Sequence, residues 1–166
     1  MQGKAALALA VLTRYDAAII AAAGAIPPLV QLLGSGYLAV VQQMAAQALW
    51  NLTLNDDNKV TIAGSGAIPP LVQLLGSRSP AKVQHRAALA LSSLARIANN
   101  AVTIAAAGAI PPLAQLLGSS SPANVQKAAA WALSALGDSS ADIRAAIDAA
   151  EASANTLQQM KALGLD

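Results

Sequence analysis

The chain has 166 residues, ten Lys and Arg against eight Asp and Glu for a formal charge of +2, a 55% hydrophobic but only 2% aromatic composition, and no cysteine. That length suits one domain with a core large enough to need no disulfide or metal, and the missing thiols exclude disulfides, thiolate zinc sites and cysteine nucleophiles and fit a reducing compartment. The near-balanced charge gives nucleic-acid binding little support, while an apolar content rich in alanine, the strongest helix former, predicts an all-α protein of thin, closely packed helices.

The opening "MQGKAALALAVL" pairs a lysine with an apolar run, as a secretory leader does. Its run is short and ends in "TRYD", and "KAALALAVL" at 4–12 closely matches the internal "RAALALSSL" at 86–94, so it reads as a helix of the fold over about 2–14. Proline pairs interrupt the longest apolar stretch, and none reaches the roughly 18 residues of a membrane span. Beyond this helix the chain repeats itself. "GAIPPL" begins at Gly24, Gly66 and Gly108, a spacing of 42 residues both times, inside the longer copies "AGAIPPLVQLLGS", "SGAIPPLVQLLGS" and "AGAIPPLAQLLGS". A fixed period without drift predicts stacked units that share one continuous core.

Each period divides into three helices. The first is short, with Asn58 and Asn100 as expected N-caps and Gly66 or Gly108 as the left-handed residue that ends it. The pairs Pro27-Pro28, Pro69-Pro70 and Pro111-Pro112 start the second, where a missing N–H costs least, and Gly34, Gly76 and Gly118 stop it. Ser79-Pro80 and Ser121-Pro122 then supply a cap and a first-turn proline for the third helices, expected over about 39–54, 81–98 and 123–136. The expected division is a partial repeat over 1–15, repeats over 16–57, 58–99 and 100–140, and a degenerate capping repeat over 141–166. In that last unit "ADIRAAIDAA" starts well, but Ala150 and Glu151 replace the glycine, no proline pair follows, and "TLQQMKALG" stands in for a second helix.

Laid on the 42-residue register, the third helices give columns of contrasting chemistry. Val41, Val83, Val125; Ala48, Ala90, Ala132; Leu49, Leu91, Leu133; and Leu52, Leu94, Leu136 are apolar in every copy. At about 100° per residue Ala48, Leu49 and Leu52 form one buried stripe. The opposite face, centred near Gln43, Gln47, Asn51 and Leu54, varies: Gln43, His85, Lys127; Gln47, Leu89, Trp131; Asn51, Ser93, Ala135. Variable, partly polar columns beside invariant apolar ones mark the solvent side.

A short helix, a second helix and a long third helix every 42 residues resemble the armadillo repeat, and the sequence itself resembles that family in "NKVTIAGSGAIPPLVQLL" (58–75), its copy at 100–117, and the third-helix cores "AAQALWNL" and "AAAWALSAL". The likeness covers nearly the whole chain and is strongest in look to plant and algal armadillo arrays. It implies a right-handed α-solenoid whose third helices line a groove for extended partner segments. In peptide-binding, importin-α-like members a W-A-L-S-N motif sets a Trp to pack on side-chain stems and an Asn to grip the peptide backbone. Position by position, Trp131 matches the Trp and Asn51 the Asn; the other Trp positions hold Leu7, Gln47 and Leu89, and the other Asn positions Val11, Ser93 and Ala135, so the motif is only partly kept. Trp50 stands three residues from the Trp position, on the flank of the exposed face, between contact with the next third helix and contact with a partner.

Catalysis has little raw material: one histidine, His85, one glutamate, Glu151, and no phosphate-binding glycine loop. No enzyme activity, cofactor, metal site, membrane or nucleic acid is expected. Asp56 and Asp57 read as a helix start, and Arg78, Lys82, His85 and Arg86 as a basic edge that could favour acidic partners. The expected function is a protein–protein interaction module in the cytoplasm or nucleus, holding an extended peptide against Asn51, Trp131, Gln47, Trp50, Gln43, His85, Leu89, Ser93 and Lys127. The alternative is a solenoid fragment, or an engineered or environmental armadillo scaffold, that self-associates end to end because Leu7, Leu9 and Leu12 lack a covering repeat. A third expectation, from family likeness alone, is the substrate-binding part of a ubiquitin ligase or nuclear-import adaptor.

Overall fold

The structure, a computed structural model, describes residues 10, 11, 13, 17–118 and 120–162, and every regular element among them is helical. In chain order these are α1 (Ala17–Ala22), α2 (Ile26–Gln31), α3 (Ala39–Leu52), α4 (Asp56–Gly64), α5 (Ile68–Gln73), α6 (Ala81–Leu94), α7 (Ala98–Ala106), α8 (Ile110–Leu116), α9 (Ala123–Gly137) and α10 (Ala141–Ala162). The α1–α2–α3, α4–α5–α6 and α7–α8–α9 triplets form an α-solenoid, with α6 packed between α3 and α9. Of the helix expected over 2–14, residues 10 and 11 are helical and Thr13 is in a turn; Leu7, Leu9 and Leu12 lie outside the described residues.

The repeated glycines and prolines set the corner between the first and second helices. Gly24, Gly66 and Gly108 have φ of 80°, 79° and 80°. Each donates back three residues, and the next residue back five, as in Gly66 N–H to Ala63 and Ala67 N–H to Ile62, which satisfies the carbonyls left over at a helix end. The following "IPP" starts the second helix with its prolines in the first turn. The third helices carry the core. All four invariant apolar columns are buried, together with the alanine pairs 45–46, 87–88 and 128–129, and the small alanine side chains let these helices lie close.

Three local expectations are corrected. Asn58 and Asn100 are not N-caps: α4 starts at Asp56 behind Asn55, whose side chain accepts from the Asp57 N–H, and α7 starts at Ala98. Both asparagines are instead buried inside these helices. Asn58 donates to the Leu52 carbonyl and, one repeat back, to that of Ala17; Asn100 does the same to Leu94 and Lys59, so each amide stitches two repeats. In "SP" the proline itself takes the N-cap of α6 and α9, with no serine cap bond. Because α4 and α7 begin early, α3 and α6 end at Leu52 and Leu94, short of the expected 54 and 98, while α9 runs one residue past 136.

The last unit differs most. Its expected second helix, "TLQQMKALG", does not start as a separate element: the 22-residue α10 runs on into it as far as Ala162, since neither a glycine nor a proline pair breaks the ladder at Ala150-Glu151. Ile143 and Ile147 in its first half are buried, and α10 packs on α8 and α9. From Glu151 to Met160 almost every residue is exposed.

Candidate functional site: the face of the third helices

The sides of α3, α6 and α9 turned from the core carry two open clefts. The first, about 630 Å3, lies between residues 10–11, α3 and α6 and is lined by Gln43, Gln47, Trp50, Asn51, Leu54 and Arg86. The second, about 570 Å3, lies between the α6–α7 junction and α9 and is lined by Ser92, Arg96, Trp131, Ser134, Ala135 and Asp138.

In the first cleft Trp50 is half-buried against the core, and the Arg86 guanidinium carbon from the next third helix sits 5.9 Å from its ring centroid. Burial holds the Arg86 pKa below its ordinary value. Asn51 is only 5% exposed. Its amide donates to the Ala10 carbonyl at 3.0 Å and to Thr13 Oγ1 at 3.3 Å, and its Oδ1 accepts from Gln47 Nε2 at 2.9 Å. Both donor hydrogens are thus used within the fold, where the armadillo likeness implies an amide reaching for a peptide. Gln43 and Gln47 stay half-buried on the rim.

In the second cleft Trp131 is 58% exposed. Asp138 pairs with Arg144 of α10 at 3.2 Å, both side chains largely in water, and Arg96 projects from the α6–α7 turn, exposed.

The other expected site residues divide by burial. Lys127 is exposed and His85 and Ser93 are half-buried, whereas Leu89 is 7% exposed and belongs to the core. Burial, and after it the charge of Arg86, lowers the His85 pKa. Asp56 pairs with Lys59, whose hydrogen bond and charge lower the Asp56 pKa. Among the described residues no three His, Cys, Asp or Glu side chains gather as a metal site, and no helix is long and apolar enough to cross a membrane.

Two features escaped the sequence reading. One is Arg86 over Trp50, a pairing between helices that no single-helix periodicity encodes. The other is the column Gln42, Gln84, Gln126, whose side chains reach back to carbonyls at the end of the second helix, Gln84 to Leu75 and Gly76 at 3.2 and 2.9 Å. Gln42 does the same to Leu33 and Gly34, and Gln126 to Gly118 and, in the loop before α9, to Ser121. Its signal was one polar residue recurring at the 42-residue period beside the apolar columns.

Residues 16–54, 55–96 and 98–136 each match the armadillo/beta-catenin-like repeat. The chain belongs to the armadillo-repeat family. Solved structures agree with this armadillo assignment. One engineered protein shares 35% identity at a TM-score of 0.81, over 89% of this chain and 61% of its own, and another shares 32% at 0.83, over 96% and 66%. A designed armadillo repeat protein in complex with the peptide (KR)4 shares 26% at 0.81, over 92% and 65%. This armadillo chain therefore spans less than two thirds of those three proteins. No curated protein matches it significantly.

Proposed function

We propose that the chain is a protein-interaction module that holds an extended peptide of a partner along the third-helix face, without catalysis. The observation that carries this reading is the pair of open clefts on that one face, each with a tryptophan and polar groups at its rim. An indole is a flat apolar surface for side-chain stems, and glutamine amides offer a peptide unit both donor and acceptor. The structural likeness to a designed armadillo protein that carries a peptide supports the same use of the fold. The internal bonds of Asn51 move its role from gripping the peptide to shaping the cleft, which leaves Gln43, Gln47, Trp50 and Trp131 as contacts, with His85, Ser93 and Lys127 between and beside them. Three stacked third helices make a short groove, so a single segment binds with modest affinity.

Random-peptide display against the chain tests this. Enriched peptides should lose about tenfold in affinity on Trp131→Ala and on Gln43→Ala, both without loss of melting temperature. Enriched peptides that bind the double variant as tightly as the parent contradict the groove.

A second reading is self-association through an end of the solenoid. Leu157 and Met160 on the outer half of α10 are exposed, which favours it. Sedimentation at rising concentration separates the two: a chain that stays monomeric ends this reading.

A further inference from the structure

The acidic residues of the described chain are kept off the third helices. The third helices α3, α6 and α9 contain Lys82, His85, Arg86 and Lys127 and no Asp or Glu. The described acids lie elsewhere: Asp56 and Asp57 open α4, Asp138 follows α9, and Asp142, Asp148 and Glu151 are on α10. A peptide laid along the third helices therefore meets only cations among the charges those helices carry, and Asp138, at the second cleft, is paired with Arg144.

Within that face Arg86 is set apart by its surroundings: Lys82 and Lys127 are exposed, whereas Arg86 is half-buried against Trp50. Among the described residues no carboxylate pairs with it and its guanidinium donates no hydrogen bond. A guanidinium keeps its charge even when burial lowers its pKa. The guanidinium lies over the Trp50 ring and lines the cleft whose rim holds the Gln43 and Gln47 amides. A planar fork of donors, partly desolvated and without a counter-charge among the described residues, suits a carboxylate, which it can bind bidentately.

We infer that the Trp50–Arg86 cleft anchors a carboxylate side chain of the bound segment, so that this face selects acidic extended peptides. The inference rests on the peptide-binding reading above. Gln43 and Gln47 take the peptide backbone beside the anchored carboxylate, and Lys127 on α9 favours a second acid further along.

Three labelled octapeptides, alternating Asp-Glu, Asn-Gln and Lys-Arg, decide the matter by fluorescence anisotropy against the full chain. The acidic peptide should bind about tenfold tighter than the neutral one and the basic peptide weakest, with the acidic affinity falling as salt rises. Arg86→Gln should cost the acidic peptide about tenfold, Arg86→Lys, which keeps charge but loses the fork, about threefold, and Val60→Gln, at an exposed position of α4 off the third-helix face, under about twofold. Thermal melts confirm that each variant is folded; should Arg86→Gln be unfolded, Arg86→Lys and the salt series carry the test. Equal binding of the neutral peptide, or an acidic peptide indifferent to both Arg86 variants, overturns the anchor while leaving the groove intact. Failure of all three octapeptides overturns the anchor alone if displayed peptides still bind, and the groove reading with it if they do not.

Discussion

The two clefts share one backbone register and differ in how far their aromatic residue is committed to the fold. Trp50 is half-buried, covered by Arg86, and its neighbour Asn51 is tied to Ala10 and Thr13. Trp131, three columns away on the register, stands in water beside Ser134 and Asp138. A shift of three residues, almost one turn of helix, decides whether an indole packs against the next third helix or stays open to a partner. The first cleft is thus both structural and cationic; the second is exposed and holds a carboxylate.

That contrast can be broken by mutation. The largest effect expected is from Trp50→Ala, which removes a half-buried aromatic and should cost about 2 kcal/mol in urea unfolding, while Trp131→Ala should stay within about 0.5 kcal/mol. Equal losses would erase the distinction between the two indoles. Asn51→Ala should follow at roughly 1–2 kcal/mol, because it leaves the Ala10 carbonyl without its amide donor, whereas Ser93→Ala in the same column should be nearly neutral. Asp138→Asn removes an exposed ion pair and should change stability by less than about 0.5 kcal/mol, yet by taking the carboxylate from the second cleft it should raise affinity for the acidic octapeptide about twofold.

The smallest effect is in pH. The folded pKa of His85 lies below its ordinary 6.5, so the unfolded chain takes up that proton first. The stability linked to His85 is complete above pH 6.5 and declines as pH falls from there through the lower folded value. Arg86→Gln, by removing the neighbouring charge, should flatten that decline in chemical-denaturation curves; an unaltered or steeper slope would show that Arg86 has no hold on His85. Asp56, also lowered, loses its contribution in a separate window, below its ordinary 3.8.

Much of the fold was legible because the repeat writes its backbone requirements into residue types. Only glycine enters the left-handed turn at 24, 66 and 108 without strain, and proline pairs fit a first helical turn, so both recur at 42 residues beside the apolar columns. What was not legible concerned polar side chains with several possible partners. Asn58 and Asn100 look like caps because asparagine commonly caps, but burial between repeats sends their amides to carbonyls of two units. Asn51 stood in the variable column, yet a neighbouring turn around Thr13, distant in sequence, claims it. The long run of α10 follows from an absence: with neither glycine nor proline pair at Ala150-Glu151, nothing ends the helix there. On the site, periodicity identified the face but not which of its members the core would take, as with Leu89, nor the contact of Arg86 with a residue one helix away.

The chain holds two tryptophans, so its two indole N–H signals in a 1H–15N NMR spectrum report one cleft each. Titration with an enriched displayed peptide tests the groove most directly. The account predicts that both indole signals move, saturably and with the same midpoint, as one extended segment covers both clefts. A peptide that binds while both indole signals stay in place, with shifts confined to residues off the third helices such as Ile19, Val60 and Val102, would contradict it.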